Sequence, residues 1–294
     1  MSGVSLQGLR MFLAVVEHGS VSEAGRELGV SQPAVSGHLH SLEERYGVVL
    51  LDRGRPMRLT PAGETLARHA RRVLTAHREM EEEMSQQSEP RGDLEVGAST
   101  TPAQVVIPRV VTGFAERYPA VNLKVRVGDT KEILVALKGR EIEVAVVGLL
   151  PDAVEFESHS LEEDRLAVIV AAGSGEVGFT LQKLAGCTFI LREEGSATRR
   201  AIEEVLSEHS VHPKPVMELG SNAAIVGAVA EGAGVGVVPE GFVSGESRVR
   251  SVAVEGLAMS RPLVLVSERG RQLSSAAKAF VKLCVEGSQD SGKR

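Results

Sequence analysis

Apolar residues recur at helical spacing through the first quarter of the chain and in short β-branched runs afterwards, so the pattern itself divides the sequence. Leu6, Leu9, Leu13 and Val16 form an i, i+3, i+4 stripe that predicts an amphipathic helix over Leu6–Glu17. Ser20, three residues before Glu23, has capping-box spacing and starts a second short helix that runs to Leu28 and is broken by Gly29. Ser31 can cap a third helix, with Pro33 in its first turn, where a missing N–H costs little. That helix places Val35, Leu39, Leu42 and Tyr46 on one face and Pro33, Gly37 and His40 on the other. Two short helices joined by a glycine turn, the second with a polar outer face, predict a helix-turn-helix. Gly47–Leu59, with Arg53, Arg55, Pro56 and Arg58, reads as a basic two-stranded wing.

Thr60-Pro61 then opens a long helix, an N-cap threonine followed by proline at the first helical position, running to about Gln87. Along it Leu66, Ala70, Val73, His77, Met80 and Met84 alternate four and three residues apart, a heptad-like seam that calls for a partner helix or, alternatively, packs on its own domain. The polar stretch SQQSEPRG, Ser85–Gly92, is the best domain boundary. From Asp93 the grammar changes. Runs at Leu94–Ala98, Leu123–Val127, Val144–Gly148, Leu166–Val170, Val235–Val238 and Leu263–Val266 alternate with helical segments at Ala103–Tyr118, Lys131–Leu137, Thr198–Glu208, Ala223–Glu231 and Ser274–Val285. This is βαβ organisation with a parallel or mixed sheet, long enough for two lobes with a ligand cleft between them. Gly287–Arg294 reads as a frayed tail.

Composition changes the picture little. The chain is 43% hydrophobic and 24% charged, ordinary for a globular protein. No apolar run approaches the roughly 18 residues of a membrane helix, and the start lacks the pattern of a secretory signal, so a cytoplasmic protein without membrane contact is expected. Cys187 and Cys284 lie far apart without metal-ligand spacing and read as structural thiols of a reduced compartment. The net charge of −6 argues against a protein that coats nucleic acid. Its distribution says more: Met1–Arg78 holds ten arginines against seven acids, and Glu79–Glu89 adds five acids and no base. A basic head on an acidic body fits DNA binding confined to one end.

Ala24–Glu64 carries SQPAVS at Ser31–Ser36, SLEE at Ser41–Glu44, LLDR at Leu50–Arg53 and LTPAGE at Leu59–Glu64, four motifs in one register. This segment closely resembles the LysR-type transcriptional regulators. REEGSATRR at Arg192–Arg200 and GAGVGVVPE at Gly232–Glu240 resemble the members that control carbon fixation or sulfur assimilation. The resemblance implies a winged helix-turn-helix over 1–59, a linker helix that forms a homodimer over 60–89, and a periplasmic-binding-protein-like α/β effector domain over 90–294. In it the chain crosses twice between lobe I, about 90–163 and 267–290, and lobe II, about 164–266. It also implies a homotetramer on promoter DNA, a small-molecule effector in the cleft, and room for contact with RNA polymerase.

In the head, Ser31 and Gln32 start the recognition helix, where side chains and orphan N–H groups meet phosphate or base edges. Gln32 has the amide geometry for a bidentate contact with adenine, Pro33 and Ala34 offer apolar contact to a thymine methyl, and Ser36 can hydrogen-bond to base or backbone. Arg10, Arg53 and Arg55 are candidates for phosphate or minor-groove contact, with an ion pair inside the domain as the alternative for Arg53. Gly37 departs from many relatives, which carry a larger residue there, so no operator sequence transfers. His38 and His40 fit DNA contact or simple solvation equally.

In the second domain Ser99, Thr100 and Thr101 follow a strand and open a helix, and Ser196 and Thr198 repeat the arrangement from the other lobe. Two such helix N-termini facing one cleft would suit a carboxylate, phosphate or oxyanion, with N-capping as the plain alternative. Gly148 and Asn222 are further candidates to line that cleft. Arg192, Arg199 and Arg200 add positive charge, unless surface ion pairs consume them.

Enzymatic readings fare poorly. GAGVGV at Gly232 precedes a strand instead of opening a helix, Ser174 lacks a nucleophile elbow, and no Walker loop, HExxH or CxxC appears. No cofactor or metal is expected; the scattered histidines lack ligand spacing, and His77 belongs to the linker seam. A solute-binding protein with assembly helices, or an enzyme with a DNA-binding head, remain the rivals to a regulator.

Overall fold

The computed structural model describes residues 4–52, 54, 56–84, 89–149, 154–175, 179–211, 214–255, 257 and 259–291. Contacts divide the chain into two compact units, one of residues 1–88 with 138–141 and one of residues 89–137 with 142–294.

In the first unit, α1 (Leu6–His18) is capped by the Ser5 hydroxyl and α2 (Val21–Glu27) by Ser20, whose oxygen accepts from Glu23 N. The Glu23 carboxylate pairs with Arg26. Helix α3 (Gln32–Tyr46) buries Val35, Leu39 and Leu42 against Phe12, Val15 and Ala24 of the first two helices. Tyr46, expected on that face, is 49% exposed because it stands in the last turn, just before the left-handed Gly47. Strands β1 (Leu51–Asp52) and β2 (Arg58–Leu59) form the antiparallel wing. Helix α4 (Pro61–Met84) is capped by Thr60, whose Oγ1 accepts from Gly63 N and donates to Val49 O. Its Ala67 and Ala70 are buried, whereas Val73, Met80 and Met84 are exposed. Arg53, Arg55 and the start of the expected boundary, Ser85–Ser88, lie outside the described residues.

The second unit is built on a sheet with nine strands among the described residues, flanked by helices. In chain order these are β3 (Gly92–Ser99), α5 (Thr100–Val105), α6 (Ile107–Arg117), β4 (Val121–Gly128), α7 (Thr130–Lys138), β5 (Val144–Val147), β6 (Phe156–Ala171), α8 (Leu181–Ala185), β7 (Thr188–Arg192), α9 (Ala197–Glu208), β8 (Lys214–Leu219), α10 (Asn222–Ala230), β9 (Val235–Pro239), β10 (Val249–Val252), β11 (Met259–Glu268) and α11 (Ser275–Ser291). The order across the sheet is β4-β3-β5-β11-β6-β9-β7-β8, with β10 also on β6. Strands β6 and β11 are long because each serves both lobes. β6 pairs with β11 along its first part and with β9 and β10 along its last; β11 pairs with β5 at its end.

Alternation explains why central strands read as unbroken apolar runs. Val144 and Val146 face one core with Phe114 and Phe280, while Ala145 and Val147 face another with Ile133 and Leu137. In the second lobe Val168 and Val170 meet Phe189 and Ile202, and Ile169 meets Ile190 and Ile225 on the opposite face. Within GAGVGVVPE, Gly234 takes φ +152 and a Cβ there would sit 2.3 Å from Thr188 O, so this glycine-rich turn is a tight entry into β9.

Several boundaries differ from expectation. The helix expected over Ala103–Tyr118 is two helices, α5 and α6. Pro108 lacks the N–H that would bond to Gln104, so the ladder cannot run through. Val264–Ser267 pair with β5 of the first lobe, so the return crossing comes before residue 266. Gly287–Ser291, expected as tail, continue α11. Cys284 is buried, which pushes its thiol up to about 12, and Cys187 is half-buried. No helix of the described residues is long and apolar enough to cross a membrane, and among them no cluster of three His, Cys, Asp or Glu could hold a metal.

Candidate functional site

The helix-turn-helix presents its polar face as one surface. Ser31, Gln32, Pro33, Ser36, Gly37 and His40 are exposed on α3, Ala34 is half-buried, and Arg10 is exposed on α1. The turn before α3 is tight: Val30 N donates to Gly25 O at 2.9 Å, and a Cβ on Gly25 would meet Val30 O at the same distance. Ser31 occupies the N-cap position but its side chain makes no capping hydrogen bond, so its expected capping role falls away. Gln32 is oriented by the neighbouring helix, because Ser22 Oγ donates to its Oε1 at 3.1 Å. The amide N–H groups remain, with a second lone pair on the oxygen. His40 pairs with Glu44, and His38 packs beside Gly8 on α1.

In the second unit the strand-to-helix junctions meet at one cleft. Ser99, Thr100, Thr101, Ser196 and Thr198 line it together with Asp129, Thr130, Arg192 and Arg261. Asn222 reaches in from the start of α10, and its Nδ2 donates to Thr101 Oγ1 at 3.2 Å. Gly148 lies against Arg261; a Cβ there would stand 3.1 Å from the guanidinium carbon. All seven residues predicted for the cleft therefore lie in or against it. Ser99 and Ser196 hold the N-cap positions of α5 and α9, yet neither side chain caps its helix, although both are buried. Two helix starts thus border one cleft beside Arg192 and Arg261, whose guanidiniums hydrogen-bond to Thr100 and Thr101, an arrangement suited to an anion.

Two buried guanidiniums bring the lobes together here. Arg192, 2% exposed, donates from Nη1 to Asn222 Oδ1 at 3.0 Å and from Nη2 to Thr100 Oγ1 at 3.2 Å. Its Nε and Nη2 grip Glu193 at 2.7 and 2.6 Å. Arg261 binds Asp164 from Nε and Nη2, each at 2.9 Å, and Thr101 Oγ1 from Nη2 at 2.9 Å. Burial lowers the Arg261 pKa, and the charge of Arg192 adds to that. Burial also raises Asp164, more than Arg261 lowers it. For Glu193 burial pulls upward, but hydrogen bonds from Arg192 and its own backbone N–H outweigh it and hold the carboxyl below its ordinary range.

Arg199 and Arg200 have the commoner fate. Arg199 pairs with Glu203 and Glu218, and Arg200 with Glu204 on the surface. Arg261, Asp164, Asp129 and Thr130 escaped sequence reasoning. The last two had a signal: Asp129 precedes Glu132 with capping spacing, and Glu132 N donates to Asp129 Oδ1 at 2.8 Å. That marked a third helix start beside the same strand ends.

Comparison with known proteins agrees across both units. The family model described as "Bacterial regulatory helix-turn-helix protein, lysR family" matches residues 6–64, and that described as "LysR substrate binding domain" matches 87–289. The chain is 34% identical over 285 residues to the RuBisCO operon transcriptional regulator of Allochromatium vinosum, covering 94% of each. It is similar to the Synechocystis PCC6803 CcmR regulatory domain in complex with 2-PG, with TM-score 0.63 and 25% identity over 68% of this chain and 99% of that one. Full-length CbnR complexed with its target DNA shares the fold, with TM-score 0.69 and 22% identity, covering 97% and 99%.

Proposed function

This chain belongs to the LysR family of bacterial helix-turn-helix regulators, and we propose from that premise that its DNA binding is controlled by a small anion held between the two lobes of its second domain. It is a transcription regulator, not an enzyme, and its relatives among RuBisCO operon regulators support the carbon-fixation branch of the family. The observation that carries the effector reading is the cleft itself: two helix N-termini with uncapped, buried serines, and Arg192 between them. The complex of CcmR with 2-PG and that of CbnR with DNA agree with the two halves of the reading.

The division is a DNA-binding head over 1–59, a linker over 60–89 and an effector domain over 90–294, working in the cytoplasm. Exposed Val73, Met80 and Met84 on α4, at 47, 53 and 79%, support a homodimer through that helix, and two dimers side by side would make the tetramer. Sedimentation of the full chain tests this, and a monomer at every concentration contradicts it. The effector acts through a difference in affinity for two arrangements of the assembly, which changes how the heads sit on DNA.

Gln32→Ala tests the head. It is expected to weaken binding to a protected DNA site by about 1–3 kcal/mol, roughly 5- to 150-fold. The salt dependence should keep its slope, because the amide reads base and not phosphate. Unchanged affinity would remove Gln32 from the interface.

A further inference from the structure

Both cleft arginines already hold a carboxylate from this chain, and the two carboxylates are anchored differently. Asp164 lies on β6 directly across the ladder from Arg261, so the sheet fixes its place, and its side chain is 12% exposed. Glu193 stands in the turn between β7 and α9, with a side chain 25% exposed that has solvent to move into. It contacts the Nε–Nη2 edge of Arg192, the planar two-point contact that a free carboxylate or phosphate would make. Arg192 is otherwise enclosed, and its remaining bonds go to Asn222 and Thr100, which hold the guanidinium still. Both oxygens of Glu193 occupy the Nε–Nη2 edge, so an anion cannot make the same two-point contact while Glu193 keeps it.

We propose that Glu193 is a built-in stand-in for the effector's anionic group, occupying the recognition edge of Arg192 until a small carboxylate or phosphate displaces it. The proposal rests on the effector reading of the cleft. Arg261 keeps Asp164 throughout, because that pair is locked by cross-strand register; Arg192 is the exchangeable receptor. Thr100 and Asn222 stay on Arg192 during the exchange and leave it oriented for the incoming group. A neutral ligand of equal size cannot take over the bidentate pair, so the competition selects for charge. It also sets affinity, since every binding event must first break the Arg192–Glu193 contact.

Calorimetric titration of the full chain with 2-PG, inorganic phosphate and glycolate tests this, with wild type, Glu193→Gln and Glu193→Ala compared after their melting temperatures show them folded. Glycolate and phosphate separate carboxylate from phosphate recognition. Glu193→Gln keeps the shape but removes the charge, and is expected to bind the preferred anion about tenfold more tightly. Glu193→Ala, with no amide to compete, should tighten at least as much. Wild-type binding with equal or weaker affinity in both variants would overturn the stand-in and leave the anion site intact. Binding by the variants alone would support the stand-in and contradict these probes as effectors of the wild type. Absence of binding in all three proteins would overturn both readings.

Discussion

Replacing Arg261 with leucine is expected to destabilise the effector domain by about 3–5 kcal/mol at neutral pH, read by chemical denaturation of the full chain. The guanidinium, 5% exposed, ties β11 to Asp164 and to Thr101, so leucine leaves the Asp164 carboxylate enclosed without a cation. Burial already raises that carboxyl above its ordinary 3.8 with Arg261 in place, and removing the cation raises it further. A folded-state pKa above the unfolded one means that the folded protein holds the proton more tightly. The associated stability is complete below 3.8 and lost as pH rises through the folded value. The deficit of the variant should therefore be largest near neutrality and shrink as pH falls toward 3.8. Arg261→Leu with Asp164→Leu should recover most of it, because an apolar pair can replace a buried ion pair at little net cost. A deficit under about 1 kcal/mol, unchanged by pH, would mean the pair does not hold the cleft.

Gly63→Ala should damage the head by more than about 3 kcal/mol, seen as lost helicity and a lowered melting temperature. A Cβ on Gly63 would stand 2.0 Å from Leu50 O and 2.9 Å from Leu59 Cδ2. Leu50 O is held in place, because it accepts at 3.1 Å from the N–H of Thr60, the residue that caps α4. The glycine of the LTPAGE segment is thus required where the linker helix crosses the wing. Gly37→Ala is the contrast, since nothing lies within 4 Å of a Cβ there; it should stabilise α3 by up to about 1 kcal/mol. A cost for Gly63→Ala no larger than that would contradict the close approach.

What could be read from the sequence was local. Thr60-Pro61, Ser20 with Glu23, and the hydroxyl pairs after strands announce helix starts through chemistry between residues three or four apart. The alternation of helices and apolar runs gave the βαβ order for the same reason. Strand β6 shows where this stops. Only its Leu166–Val170 end reads as a strand, because the earlier part, FESHSLEED, buries just Phe156 and Leu161. That part is held by its ladder to β11, about a hundred residues away, and no local pattern reports such a pairing. Arg261 was missed for the same reason: its sequence neighbours carry no motif, and its role comes from Asp164 across the sheet and Thr101 in the other lobe. The capping alternative for Ser99 and Ser196 was also undecidable in one dimension. A serine before a helix looks identical whether its hydroxyl turns back to the backbone or inward to a cleft.

The central claim, that one chain couples DNA binding to an anion in the cleft, is tested most directly by footprinting the full protein on the DNA upstream of its own gene, with and without 2-PG. The account predicts protection of an interrupted inverted repeat whose extent or bend changes with the anion in wild type and no longer changes in Arg192→Gln, while that variant still binds the DNA. Protection that is identical with and without every small anion tried, or no preference for promoter DNA over random sequence, would contradict it.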